Sequence, residues 1–214
     1  MSEIINNVSA YFSHLPWLEL IAMLLSLAYV ILVAKGNIWC WPAAFISTAI
    51  YTVIFFDVKL LMDSALSAYY LLMAVYGYWQ WSNPVTRDDS RNDELPITSW
   101  ALSLHIKISS GLVVITLALG YLVDNYSSAS FPYLDTFTTV FAVFSTYLVT
   151  QKVLENWLYW IVIDLVSIYL YIEKGLIPTT VLFVIFVVIA CYGYIKWLRS
   201  YQVNSDDLES TTVS

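Results

Sequence analysis

Apolar residues along this chain neither alternate nor keep to one helical stripe. They run on all sides in long blocks, as in MLLSLAYVILVA and LFVIFVVIACYGYI. A helix crosses the hydrocarbon core with roughly 20 largely apolar residues, and the pattern predicts seven such spans, at about 17–34, 38–56, 60–81, 100–122, 134–150, 156–172 and 176–197. Strands of a membrane barrel would instead alternate apolar and polar positions in blocks of about ten. The expected fold class is therefore an all-α integral membrane protein, with most connections only a few residues long.

The pattern recurs within the chain. Sliding the sequence by 116 residues, the offset from Gly77 to Gly193, brings PWLE at 16–19 onto PYLD at 132–135 and YGYWQW at 76–81 onto YGYIKW at 192–197. In the same register Leu32, Val33, Trp41, Leu60 and Leu66 meet Leu148, Val149, Trp157, Leu176 and Leu182. Each copy predicts three helices, and the helix at about 100–122 belongs to neither. Four helices separate a residue from its counterpart, an even number, so both copies have the same orientation. The expected arrangement is a parallel 3+1+3 repeat of two three-helix bundles, SWEET-like, in which substrate sites lie near the midplane where the halves meet. The expected divisions are a short periplasmic N-terminus (1–16), a first bundle (17–81), a cytoplasmic loop with the linker helix (82–131), a second bundle (132–197) and an acidic cytoplasmic tail (198–214).

Composition agrees, since 60% hydrophobic and 12% charged residues lie far from the balance of soluble proteins. With seven spans, Lys35, Arg87, Arg91, Lys107, Lys152, Lys196 and Arg199 fall on or near one face and only Lys59 and Lys174 on the other. Cytoplasmic loops carry the Lys and Arg excess, which puts the N-terminus in the periplasm and the C-terminus in the cytoplasm. MSEIINNVSAYFSHLP lacks a basic leader and small-residue cleavage site, so the first helix is expected to be retained. The net charge of −7 sits mostly in RDDSRNDE and DDLE, and no basic groove for nucleic acid is present. Cys40 and Cys191 lack metal or redox spacing and read as small apolar core residues. His14 and His105 are the only histidines, and no GxSxG, HExxH or Walker pattern occurs. No catalytic residue, metal ligand or cofactor site is assigned. Uphill transport would then depend on a gradient or on later metabolism of the solute.

Asp164, near the middle of WLYWIVIDLVSIYLYI, is the one acidic residue at membrane depth. A charge there costs about 2.5–3.5 kcal/mol on insertion scales, so an intramembrane carboxylate reads as a functional site. Trp157, Trp160, Asp164, Ser167 and Tyr171 share one helical face, and the counterpart face carries Trp41, Ala44, Thr48, Tyr51 and Phe55. Two aromatic faces with a carboxylate and hydroxyls suit a flat, cationic or amide-bearing ring. The candidate substrate-binding set is Asp164, Trp160, Trp41, Thr48, Tyr51, Ser67 and Ser167. The plainer readings are packing or interfacial belt for the aromatics and a structural hydrogen bond to Tyr or Ser for Asp164. Glu19, Asp57, Asp63, Asp135 and Glu173 lie nearer span ends and read as interfacial.

The segments WPAAFISTAIYTVIFF, AVYGYWQW and LENWLYWIVIDLVSIYLYIEKG, in this order, resemble the Pnu family of bacterial vitamin transporters over about 17–197. The resemblance implies facilitated diffusion across the inner membrane, made unidirectional by a cytoplasmic kinase that phosphorylates the vitamin. It also implies a vitamin site at the midplane between two bundles. Against the nicotinamide riboside pattern of that family, Ser67 stands in place of a Gln, Ala74 in place of an Asn and Asp164 in place of an Asn, while Trp160 is kept. Fewer amides and one carboxylate point to thiamine ahead of nicotinamide riboside, with riboflavin third. A proton-coupled carrier and a non-transporting membrane sensor are the rival classes. Apolar outer surface faces lipid and leaves a homo-oligomer open.

Overall fold

In the computed structural model, residues 16–57, 61–83, 95–127 and 130–212 are described. They form seven helices: α1 (Pro16–Ala34), α2 (Cys40–Asp57), α3 (Leu61–Ser82), α4 (Leu102–Tyr126), α5 (Pro132–Thr150), α6 (Asn156–Glu173) and α7 (Ile177–Thr212). The N-terminal stretch, Lys59, the acidic loop RDDSRNDE and the side chains of Asp63 and the DDLE tail lie outside the described residues. The helices match the seven expected spans within a few residues, except that α7 continues well past 197. Nothing between Tyr194 and Thr212 is Gly or Pro, so nothing there stops the helix.

Among the described residues, four helices are long and apolar enough to cross a membrane by length and composition: Trp17–Ala34, Cys40–Asp57, Leu102–Tyr126 and Thr179–Val203. Of the other three, α3 and α5 carry more Ser, Thr and Tyr, and α6 carries Asp164. Their polarity points inward. In α6 the buried residues include Asn156, Asp164 and Ser167, while Leu158, Val162, Leu165 and Tyr169 are exposed. In α4 the buried residues are His105, Thr116 and Gly120, while Val114, Leu117 and Leu122 face out. Polar groups inside and apolar side chains outside reverse the soluble pattern and fit a lipid solvent.

The chain divides into two units, Met1–Leu95 and Pro96–Ser214. In the first, α2 packs on both α1 and α3. In the second, α6 packs on both α5 and α7, and α4, the expected linker helix, packs on α5.

Local geometry recurs between the units at the 116-residue offset. α1 ends at Gly36, whose φ of +69° lets Gly36 N–H donate to Val33 O (2.8 Å) and Asn37 N–H donate to Leu32 O (3.0 Å). This is the paired bonding by which a left-handed residue closes a helix end. α5 closes in the same way around Lys152, with φ of +48° and bonds from Lys152 N–H to Val149 O (3.1 Å) and Val153 N–H to Leu148 O (3.0 Å). Trp41 of α2 meets Trp81 of α3 edge-on at 5.3 Å and 87°, and Trp157 of α6 meets Trp197 of α7 at 5.5 Å and 87°. A Cβ on Gly77 would fall on the Trp41 indole, and one on Gly193 would lie 2.6 Å from Trp157. Glycine at those two positions is what lets each tryptophan lie against the neighbouring helix.

Candidate functional site

The face of α6 that turns inward is set by helical spacing. Asp164 and Ser167 are one turn apart and only 4% and 5% exposed. Among the described residues neither side chain has a hydrogen bond or ion pair. The structural bond to a Tyr or Ser, the plainer reading of Asp164, is therefore not formed. A carboxylate withdrawn from solvent with no compensating donor is costly to keep, and it is complementary to a cation or N–H group brought from outside. Trp160, one turn before Asp164, is half-buried and packs on the cluster of Phe141, Ala142 and Ile163.

The first unit holds the other candidates. Thr48, the counterpart of Asp164, donates its hydroxyl to Ala44 O of its own helix at 2.7 Å, the usual arrangement of a helical threonine. Ser47 beside it is 1% exposed, donates to Ala22 O at 2.8 Å and bonds Ser26, tying α2 to α1. Tyr51 stacks on Phe55 at 5.5 Å and 17°. Ser67 of α3 is 7% exposed with no hydrogen bond among the described residues. Trp41 is 2% exposed and occupied by packing against Gly77 and Trp81, like its counterpart Trp157. The structure thus groups Asp164, Trp160 and Ser167 on α6 of one unit, and Trp41, Thr48, Tyr51 and Ser67 in the other.

Two features were not picked out from the sequence. One is the Tyr29 ring of α1, which lies 6.1 Å from the Trp41 ring of α2 at 51°. The second is a polar network that holds the start of α6. Glu155 accepts hydrogen bonds from the Ser99 hydroxyl and from Trp100 N–H (3.3 Å), and its Oε2 lies 3.5 Å from His105 Nε2. His105 Nδ1 is 3.1 Å from the Tyr159 hydroxyl, which also bonds Ser109 at 3.0 Å. Thr98 joins by a short parallel bridge, donating to Lys152 O (3.0 Å) and accepting from Leu154 N–H (2.8 Å). Glu155 and Tyr159 belong to the ENWLYW segment, so the part of the chain that carries the family resemblance also anchors the helix bearing Asp164. Among the described residues no group of His, Cys, Asp and Glu is arranged to hold a metal ion.

Comparison with known proteins follows the same outline. Residues 16–199 match the family model described as nicotinamide mononucleotide transporter. The nicotinamide riboside transporter PnuC of Escherichia coli (strain K12) is 22% identical over 207 residues, covering 87% of each chain. The riboflavin/roseoflavin transporter RibM of Streptomyces davaonensis is 24% identical over 198 residues, covering 92% of each. The crystal structure of the vitamin B3 transporter PnuC superposes with a TM-score of 0.69 at 21% identity, over 92% of this chain and 87% of that one.

Proposed function

The chain belongs to the nicotinamide mononucleotide transporter family, and from that membership we propose that it takes up nicotinamide riboside by facilitated diffusion across the bacterial inner membrane. The relatives favour this vitamin over thiamine, which the residue differences favour. The observation that carries the reading is Asp164, a carboxylate on α6, 4% exposed and without a partner among the described residues. Nicotinamide riboside is a cation, and a buried unpaired carboxylate attracts one strongly in a low-dielectric interior. Trp160 and Ser167 complete the face, one with an aromatic surface for the ring and one with a hydroxyl.

An inside-negative potential favours influx of the cation by roughly 2.3 kcal/mol per 100 mV. Phosphorylation by a cytoplasmic kinase would then trap the product, so the transporter itself requires no energy source. The N-terminus faces the periplasm in this reading. The recurring helix-end turns and Trp–Gly contacts support a parallel 3+1+3 repeat as the architecture.

Thiamine is the second reading, favoured by one feature: a carboxylate stands at 164, which can pair with an aminopyrimidine as well as with a cationic ring. A proton-coupled carrier is the alternative mechanism. Proteoliposome uptake of labelled nicotinamide riboside and thiamine, with and without a pH gradient, separates these. Saturable nicotinamide riboside uptake insensitive to the gradient is the expected result. Uptake of thiamine alone would exchange the two vitamins, gradient-driven uptake would replace the mechanism, and no uptake of any vitamin would end the transporter reading.

A further inference from the structure

The fourth helix has no counterpart in the 116-residue repeat, yet one of its faces is built to meet α6. His105, Ser109 and Leu112 of α4 recur at helical spacing on that face. Leu112 packs on the cluster of Phe141, Ala142 and Ile163, against which Tyr159 and Trp160 of α6 also pack. His105 and Ser109 reach α6 itself: the Tyr159 hydroxyl lies 3.1 Å from His105 Nδ1 and 3.0 Å from the Ser109 hydroxyl. The Tyr159 ring sits between two neighbours, 5.7 Å from the His105 ring of α4 and 5.5 Å, edge-on, from Phe144 of α5.

The repeat shows what this contact replaces. In the first unit Ser47 ties α2 to α1, donating to Ala22 O and bonding Ser26. Its counterpart in α6 is Ile163, and Ala43 stands where α6 has Tyr159. The tie made by Ser47 is thus missing at Ile163, and Tyr159 supplies one to α4 instead. Rotation is what such a tie controls. The outward face of α6 is Leu158, Val162, Leu165 and Tyr169, and lipid is as apolar as leucine, so apolar packing alone opposes turning of the helix only weakly. The side-chain hydrogen bonds do oppose it, because His105 is only 7% exposed and little water is at hand to replace a lost bond. Asp164 follows Tyr159 by five residues, about 140° further round the same helix, so fixing the tyrosine fixes the direction of the carboxylate.

We propose that His105 and Ser109 are positioning residues that act through the Tyr159 hydroxyl to set the rotation of α6, and so aim Asp164 at the vitamin. This rests on the reading of Asp164 as the cation site and gives the fourth helix a role in it. The test is a double-mutant cycle in which purified full-length protein is titrated with nicotinamide riboside by calorimetry. Tyr159→Phe, which keeps the ring and removes only the hydroxyl, should weaken binding about three- to tenfold in the wild-type background. With Asp164→Asn already present it should weaken binding by no more than about twofold, because a carboxylate already removed cannot be misdirected. Ser109→Ala should show the same pattern, and provides the measurement if Tyr159→Phe fails to fold. Ser110→Ala, on the exposed side of α4 and bonded to Ile106 O of its own helix, should leave affinity within about twofold. Equal weakening in both backgrounds, a lower binding stoichiometry at unchanged affinity, or a loss as large in Ser110→Ala overturns the positioning role while leaving nicotinamide riboside transport intact. If wild type binds thiamine and not nicotinamide riboside, the choice of vitamin falls and the same cycle with thiamine decides the positioning role. If it binds neither, both fall.

Discussion

Thr48 in the first unit turns its hydroxyl onto its own backbone, whereas Asp164, 116 residues later, presents a buried carboxylate with no partner among the described residues. Around these two positions the backbone solution is the same. Both units close their first repeat helix with a left-handed residue, Gly36 or Lys152, and both set a tryptophan across a glycine. The interiors differ. The first unit is furnished with neutral hydroxyls from Ser26, Ser47, Ser67, Tyr29 and Tyr70. The second buries hydroxyls too, such as Ser145, Thr146 and Ser167, and adds to them the carboxylate of Asp164. Packing residues were held at equivalent positions while polar residues diverged, which separates what the fold requires from what the ligand requires.

The comparison breaks if the carboxylate can be moved. Exchanging the two residues, Asp164→Thr with Thr48→Asp, should lower nicotinamide riboside uptake by about 100-fold, the upper end expected for losing a charge-assisted contact. Uptake near wild type would make the two interiors interchangeable. Next in size are Gly77→Ala and Gly193→Ala, which force a Cβ into a tryptophan ring. Each should cost about 1–3 kcal/mol, read as a lowered thermal midpoint in detergent. Similar losses at both sites sharpen the shared frame, and a large loss at only one would break it. Tyr159→Phe is smaller and belongs to the second unit, since the counterpart Ala43 has no hydroxyl. It removes the bonds to His105 and Ser109 and should cost about 0.5–1.5 kcal/mol on the same assay. The smallest effect is expected from Lys174→Met. Its pair with Asp135 (3.0 Å) is partly exposed, so about 0–1 kcal/mol is at stake, and salt should reduce it.

The helices and the repeat were legible because lipid imposes long apolar blocks, and because tryptophan and glycine at matched positions are rare enough to register. Asp164 was legible for the same reason, as a charge in an apolar block. The roles of Trp41 and Thr48 were not. A tryptophan facing a pocket and one lying across a glycine have the same spacing, and only the ring geometry at Gly77 and Trp81 separates them. Whether a helical threonine bonds its own backbone is likewise invisible in a sequence. Contacts between helices are hidden as well, because single-helix periodicity carries no information across them. The network from Glu155 through His105 to Ser109 has the same character, joining residues about fifty positions apart.

The central claim is that Asp164 binds a cationic vitamin, and calorimetric titration of purified wild type and Asp164→Asn with nicotinamide riboside, thiamine and riboflavin tests it most directly. The account predicts saturable binding of nicotinamide riboside to wild type and an affinity about 10- to 100-fold weaker in Asp164→Asn, with riboflavin, which has no cationic ring, bound weakly if at all. Equal affinity of the two proteins for the vitamin they bind would contradict it, because Asp164 would then lie outside the site.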